Sequence, residues 1–416
     1  MRGAPKLIVF PDLKISTKRQ HTTVENLLIG TRLQGNKALT SVLEFFREAR
    51  SPAAARRRLG IVQGDLDVLC REYVLIPEEE LELLRPGLCS PVPASIGKSC
   101  RLGELSDQKK GSYVVVGAPV DMATVGDGGA RHGPSDVRSR FPLNLLPTAG
   151  QKPGSRLNPT PIIDVEMRRK YAAMRRTVLD LGNVVFRPGE NNSVFGARLE
   201  RIIEHILACD GVPATIGGDH SITWFILNVL LRKIPALGVI HFDAHHDLYP
   251  DARPILNHGN PFVFALKKNS LKHLRQLGLR RLERPISGAS QAHDARLSYF
   301  SARELQRLTP EDAFAGLPTS IPYYLSFDVD CIDPSLASST GTPEVGGLSY
   351  YQALELLDYA YRRFTFVGAD FVEVAGSASR HNKAASVVAQ FMARFFLARE
   401  SFSPLESCLF EVRQPT

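Results

Sequence analysis

The chain has 416 residues, 44% of them hydrophobic, and a formal net charge of +8. That length suits one large α/β domain with a smaller one, and the composition is that of a globular protein. With no run of eighteen or more apolar residues, and no charged, apolar, small-residue leader, the expectation is a soluble cytoplasmic protein with no membrane partner. The six cysteines (Cys70, Cys89, Cys100, Cys209, Cys331 and Cys408) are scattered without a CxxC pair, which argues against a disulfide framework or a zinc knuckle.

The charge is uneven. Residues 1–60 hold 12 Lys/Arg against 4 Asp/Glu, so the rest of the chain sums to zero. A basic region of this kind is commonly a solvated face, and it also suits an acidic partner such as an acidic peptide or, less favoured here, a nucleic acid.

In chain order, residues 1–84 read as a separate module. Leu39, Val42, Leu43 and Phe46 fall at i, i+3, i+4, i+7 and predict a helix. Ser51 as N-cap, Pro52 at the first helical position and Gly60 as a stop predict a second, and Leu66, Leu69, Cys70 and Tyr73 after Gly64 and Asp65 a third. With candidate strands in "KLIVF", "VENLLIG" and "YVLIP", the layout is that of a small α+β, winged-helix-like module. Residues 85–112 collect Pro, Gly and Ser and read as a linker. Residues 113–416 read as an α/β catalytic domain. Its short β-branched runs, "YVVVGAPV", "RTVLDLG", "VPATIGGDHS", "LGVIHFDAHHD", "PYYLSFDVDCIDP" and "FTFVGADFVEV", alternate with helical segments and predict a mostly parallel sheet with helices on both faces.

In such sheets ligands gather beyond the carboxyl ends of the strands. Polar residues stand at those ends: Asp219 and His220; Asp243, His245 and Asp247; Asp328 and Asp330; and Glu373. In extended chain i, i+2 and i+4 share a face, so Asp243, His245 and Asp247 are expected to converge, as are Asp328 and Asp330. Four buried carboxylates repel and take up protons unless a counter-charge is present, and two divalent cations supply one. Carboxylate and imidazole donors without thiolate favour Mn²⁺ over Zn²⁺, Co²⁺ or Fe²⁺, and a pair of ions about 3.5–4 Å apart is a device for hydrolysis. Asp219 and His246 read as supports rather than ligands.

These residues carry a resemblance. "IGGDHS", "FDAHHDLY" and "LSFDVDCIDPSLASSTGTPEVGGLSY" resemble the three signatures of the arginase and agmatinase (ureohydrolase) family in order and spacing, and "VGAPVDMATVGDGGARHGPSDVR" resembles an agmatinase-type opening; the likeness spans about residues 113–400. It implies a three-layer α/β/α fold and two Mn²⁺ per chain that hydrolyse a guanidino group to urea and an amine. His220, Asp243, Asp247 and Asp328 would hold one ion, and Asp243, His245, Asp328 and Asp330 the other, with Asp243 and Asp328 bridging. "NHGNP" resembles the loop of a proton-shuttling histidine, which assigns His258, and "DFVEV" the strand end whose carboxylate holds the guanidinium, which assigns Glu373. The implied mechanism is attack of water on the guanidinium carbon, with Glu373 fixing that group and His258 helping to protonate the leaving amine. The family's trimers and hexamers imply a homo-oligomer.

Two departures bear on substrate. Ser338 replaces a proline usual in the third signature, and neither "LYPDARPILNHG" nor "GLRRLERPISGASQAHDARLSYFS" shows the acidic pattern that holds the α-amino and α-carboxylate groups of free arginine. The N-terminal module is similar to small domains that bind precursor peptides in enzymes modifying ribosomally made peptides, which leans towards arginine within a peptide, converted to ornithine. Hydrolysis of a small guanidine is the alternative. A DNA-binding winged helix fused to a metal sensor is a reading of another class, and one-zinc deacetylation on a related fold, with fewer carboxylates, is a third.

Overall fold

The β-branched runs that follow Tyr113 form the centre of one large sheet, each strand buried along its whole length. The computed structural model describes residues 5–10, 13–18, 21–26, 31–80, 84, 87–93, 96–141, 176–249, 255–281, 294–376 and 382–398. The chain divides into two compact units, Met1–Ser90 with Cys100–Gln108, and Pro91–Ser99 with Lys109–Thr416.

In the first unit, β1 (Leu7–Val9) pairs antiparallel with β5 (Leu75–Pro77), and β2 (Leu13–Lys18), β3 (His21–Asn26) and β4 (Thr31–Gly35) form a separate antiparallel sheet in that order. Between them lie α1 (Lys37–Phe45), α2 (Pro52–Leu59) and α3 (Gln63–Arg71). The caps of α2 are those the sequence predicts: the Ser51 side chain accepts from Ala54 N, Pro52 opens the helix, and Gly60 closes it at φ 66°, a conformation that favours glycine. α3 begins at Gln63, ahead of the expected Gly64–Asp65 start, and no side chain caps it. Leu7, Val24, Val42, Leu43, Phe46, Leu66 and Leu69 share one apolar core. The "VENLLIG" run enters β3 only as far as Asn26, and residues 27–30 lie outside the described residues.

In the second unit, β8 (Tyr113–Gly117), β9 (Val178–Val184), β10 (Val212–Ile216), β11 (Leu237–Phe242), β12 (Leu271–Leu279), β13 (Leu297–Ser301), β14 (Tyr323–Asp328) and β15 (Phe366–Val372) join short β7 (Lys98–Ser99), whereas β6 (Cys89–Ser90) falls within the residues of the first unit. The order is β13-β12-β11-β14-β15-β10-β8-β9, with β7 pairing β9, and the pairs from β13 to β9 are parallel. The stretch expected as a linker thus contributes one short strand here, and short β6 and a 3-10 turn, Leu102–Asp107, to the first unit. β12 and β13 are additions to the strands read from sequence.

Strands buried on both faces need a helical layer on each side. Helices α4 (Asn192–Ala208) and α5 (Ile222–Lys233) pack on each other, as do α6 (Tyr350–Arg363) and α7 (Lys383–Ala398), which gives the expected α/β/α layering. Phe242, Phe327 and Phe371, all fully buried, bring three central strands together in the core, each such side chain contributing roughly 1.5–3 kcal/mol. Gly238 is required where β11 meets β14, because a Cβ there would enter the Tyr323 ring. No described helix is long and apolar enough to cross a membrane.

Candidate metal centre and active site

β11, β14, β15 and β10 are consecutive neighbours and all parallel, so their carboxyl ends open on one edge of the sheet. Every predicted site residue is there. β10 leads through "GGD" to His220, β11 to Asp243, His245 and Asp247, β14 ends in Asp328 with Asp330 just beyond, and β15 runs into Glu373. All of these side chains are buried, and His258 nearly so.

They do not converge by the expected strand alternation. After Phe242 the chain bends, and Asp247 has φ 51°. After Asp328 a 3-10 turn, Val329–Cys331, begins, capped by Asp328 Oδ1 accepting from Asp330 N at 2.8 Å. A pleat would have set alternate side chains along a line; a bend and a capped turn gather them around a point. Glu373 also has positive φ, 61°. Two carboxylate residues held in a left-handed conformation mark strain at the site, which the surrounding packing must sustain.

The contacts fall into two groups. His220 Nδ1 stands 2.8 Å from Asp247 Oδ2, 3.2 Å from Asp243 Oδ2 and 3.3 Å from Asp328 Oδ2. His245 Nδ1 stands 3.0 Å from Asp330 Oδ2 and 3.3 Å from Asp243 Oδ1. Asp243 therefore gives one oxygen to each group. The ligand atoms of His220, His241, Asp243 and Asp247 lie within 4.8 Å of one another, as do those of Asp243, His245 and Asp330; Asp328 is in neither set and joins through His220.

Protons decide which imidazoles can ligate. The Ser326 hydroxyl donates to Asp370 Oδ1 at 2.7 Å, so it accepts from His220 Nε2–H at 2.9 Å. The Nδ1 of His220, which has no other partner, then faces three carboxylate oxygens, an arrangement that calls for positive charge between them, either a proton or a bound cation. His241 is different. Gln276 Nε2 donates to the His246 carbonyl and to His241 Nδ1, leaving His241 Nε2–H to donate to Asp243 Oδ2 at 2.9 Å. His241 thus holds a ligand in place without being one.

In the protein alone, protons take the place of cations. Burial pushes Asp330 up to about 6, aided by the Asp243 charge, and burial with the Asp330 and Asp243 charges pushes Asp328 well above the carboxylate range. Burial would lower His245, but Asp243 and Asp330 outweigh it and push the imidazole up to about 12; His220 is likewise raised, by Asp247, Asp243 and Asp328. Buried carboxylates and imidazoles that all draw in positive charge fit a pair of divalent ions.

Around this centre the supports are specific. Asp219 accepts from Ala123 N, Ser221 N and Ser221 Oγ, as expected of a support. His246 Nδ1 accepts from Leu248 N, and its ring packs on Tyr249. Arg280 donates to the carbonyls of Asp330 and Glu344, both at 2.7 Å, and of Val345 at 3.1 Å, tying two site loops together. Glu373 Oε1 accepts from His220 N at 2.8 Å and lies 3.2 Å from His258 Nδ1, whereas its Oε2 is buried without a partner. Beside that free oxygen is Gly341, where a Cβ would stand 2.7 Å from the Asp127 carbonyl. His258 Nε2 accepts from Val125 N at 3.1 Å. Sequence reading missed His241, Gln276, Ser326, Asp370 and Arg280; for His241, Ser326 and Asp370 the available signal was a polar residue inside an apolar strand. The loops compared for free-arginine recognition fall partly in residues 250–254 and 282–293, outside the described residues.

Comparison with known proteins adds three findings. The Arginase family is matched over residues 111–398. Agmatinases of Photorhabdus laumondii and Edwardsiella ictaluri are 31% and 32% identical to the chain over 268 residues, 63% of this chain and 79% and 80% of theirs. Among solved structures, a hypothetical agmatinase from Burkholderia thailandensis is 31% identical with a TM-score of 0.56, covering 70% of this chain and 86% of that one. Proclavaminate amidino hydrolase from Streptomyces clavuligerus, 24% identical with a TM-score of 0.59 over 75% of this chain and 98% of its own, shares the fold.

Proposed function

The chain belongs to the arginase family, a hydrolase acting on the C–N bonds of linear amidines, and from that premise we propose that it hydrolyses the guanidino group of arginine within a peptide, leaving ornithine and releasing urea. The observation that carries the chemistry is the His220 Nδ1 lone pair set among three carboxylate oxygens, with the unpartnered Glu373 oxygen in the same site.

His220, Asp243, Asp247 and Asp328 would hold one divalent ion, and Asp243, His245, Asp328 and Asp330 a second. The donor set favours two Mn²⁺. When bound, the pair supplies a counter-charge to the carboxylates and an activated water. The chain's own residues do the rest. Glu373 Oε2 accepts from the guanidinium, a charge-assisted contact that fixes the planar group, while Oε1 stays engaged by His220 N–H and His258 Nδ1–H. The amine leaves poorly as an anion, so it needs a proton. Since Nδ1–H remains on Glu373, that proton is carried on His258 Nε2, and the Val125 N–H must release this nitrogen.

Support for a peptide substrate comes from the first unit. It lies outside the matched residues 111–398, is built from a two-stranded and a three-stranded antiparallel sheet and three helices, and opens with a basic stretch, residues 1–60 with 12 Lys/Arg against 4 Asp/Glu, suited to an acidic leader segment. Such a recognition module raises the effective concentration of the reacting residue without touching the chemistry. The agmatinase relatives favour a second reading, in which a small guanidine is hydrolysed and the module serves regulation or assembly. Urea release by the Mn²⁺-loaded chain from free arginine, agmatine and an arginine-containing peptide with an acidic leader, in one experiment, separates them. Urea from the peptide, with loss of CH₂N₂ from its mass, supports the first reading; urea from agmatine alone overturns it in favour of the second.

A further inference from the structure

Behind the metal centre lies a buried carboxylate that the reaction does not use. Asp370, in the middle of β15, is fully buried and accepts from three hydroxyls: Ser326 Oγ on Oδ1 at 2.7 Å, and Tyr324 Oη at 2.7 Å and Thr223 Oγ1 at 2.8 Å on Oδ2. No cationic side chain is among these partners. An ionised carboxylate in an apolar core is costly unless its charge is used.

The direction of each hydrogen bond shows what Asp370 does. Ser326 has one hydrogen, which it gives to Asp370, so its oxygen must accept from His220 Nε2. A serine without that acceptor can turn and donate to Nε2 instead, which would place the ring hydrogen on Nδ1, the atom that faces Asp243, Asp247 and Asp328. We infer that Asp370, acting through Ser326, is a positioning residue that keeps the Nδ1 lone pair of His220 turned to these carboxylates, and so sets cation affinity on the His220 side of the cluster alone. This rests on the two-ion reading above. His245 is outside the relay: its Nδ1 faces Asp330 and Asp243, and its Nε2 lies 3.7 Å from Glu344 Oε1.

The test uses the full chain with Asp370→Asn, Ser326→Ala and the double variant, each checked for fold by circular dichroism. Bound Mn²⁺ per chain is measured across a range of free Mn²⁺, and electron paramagnetic resonance separates a coupled pair from a single ion. Both single variants are expected to keep one ion at unchanged affinity and to bind the other about 10–100-fold more weakly. Because the two residues act in series, the double variant should be no weaker than the singles, whereas independent packing defects would add. Should Asp370→Asn fail to fold, Ser326→Ala, which removes one oxygen, decides by the same shift. Two ions bound with wild-type affinity in folded Ser326→Ala, equal weakening of both ions, or additive losses overturn the inference while leaving the two-ion reading in place. Fewer than two ions in the wild-type chain would overturn both.

Discussion

His258 and Glu373 are joined by a hydrogen bond of 3.2 Å from Nδ1 to Oε1, and its direction is fixed because Val125 N–H occupies the other ring nitrogen. One carboxylate thereby orients the proposed acid through one oxygen and keeps the other free for substrate. Glu373→Gln should weaken the hold on the guanidinium by about 1.5–3 kcal/mol. The readout is a fall of about ten- to a hundredfold in kcat/KM with Mn²⁺ content unchanged; a wild-type kcat/KM would remove Glu373 from the substrate site.

His258→Asn keeps a polar side chain but no titratable nitrogen. If His258 protonates the leaving amine, kcat for urea release falls about 10²–10⁴-fold while KM moves little. An unchanged kcat would assign the proton to another group.

Asp243 gives one oxygen to each ligand group, at 3.2 Å from His220 Nδ1 and 3.3 Å from His245 Nδ1. Asp243→Asn should therefore weaken both ions, whereas His245→Asn should weaken one. Metal analysis after dialysis checks this, and equal losses in the two variants would contradict the two-group arrangement.

Away from the site, Arg198 is fully buried and donates twice to Glu190, at 2.5 and 2.6 Å. The Arg198 hydrogen bonds hold the Glu190 carboxyl below its ordinary value. A depressed carboxylate gives stability that is present above the unfolded value, about 4.3, and lost as pH falls through the folded one. Glu190→Gln removes the carboxylate that balances a buried cation and should destabilise by about 3 kcal/mol at neutral pH. The Tm gap between wild type and variant should narrow as pH falls below about 4; a gap independent of pH would show that the ion pair is not its source.

The sequence made some features readable and hid others for identifiable reasons. β8, β10, β11, β14 and β15 are strands buried on both faces, so their apolar runs stand out. β12, "LKHLRQLGL", carries Lys272, His273, Arg275 and Gln276, and β13 is a half-buried edge strand, so neither shows such a run. β2 is mostly exposed, and β4, TRLQG, holds one large apolar residue, Leu33, so neither shows an apolar run. In the site, the ligand candidates could be read because they crowd strand ends. The bend after Phe242 and the capped turn at Asp328 could not, since they arise from local hydrogen bonding rather than period. His241, Ser326 and Asp370 were concealed inside strands, where one polar residue in an apolar run becomes informative only when its partners on neighbouring strands are known.

The most direct test of the account is urea release measured while the metal-free chain is titrated with Mn²⁺, with Asp243→Asn in parallel. Hydrolysis of the guanidino substrate should follow loading of two ions per chain, and Asp243→Asn should stay inactive at the same loading concentrations. Full activity with one ion per chain, or in Asp243→Asn, would contradict it.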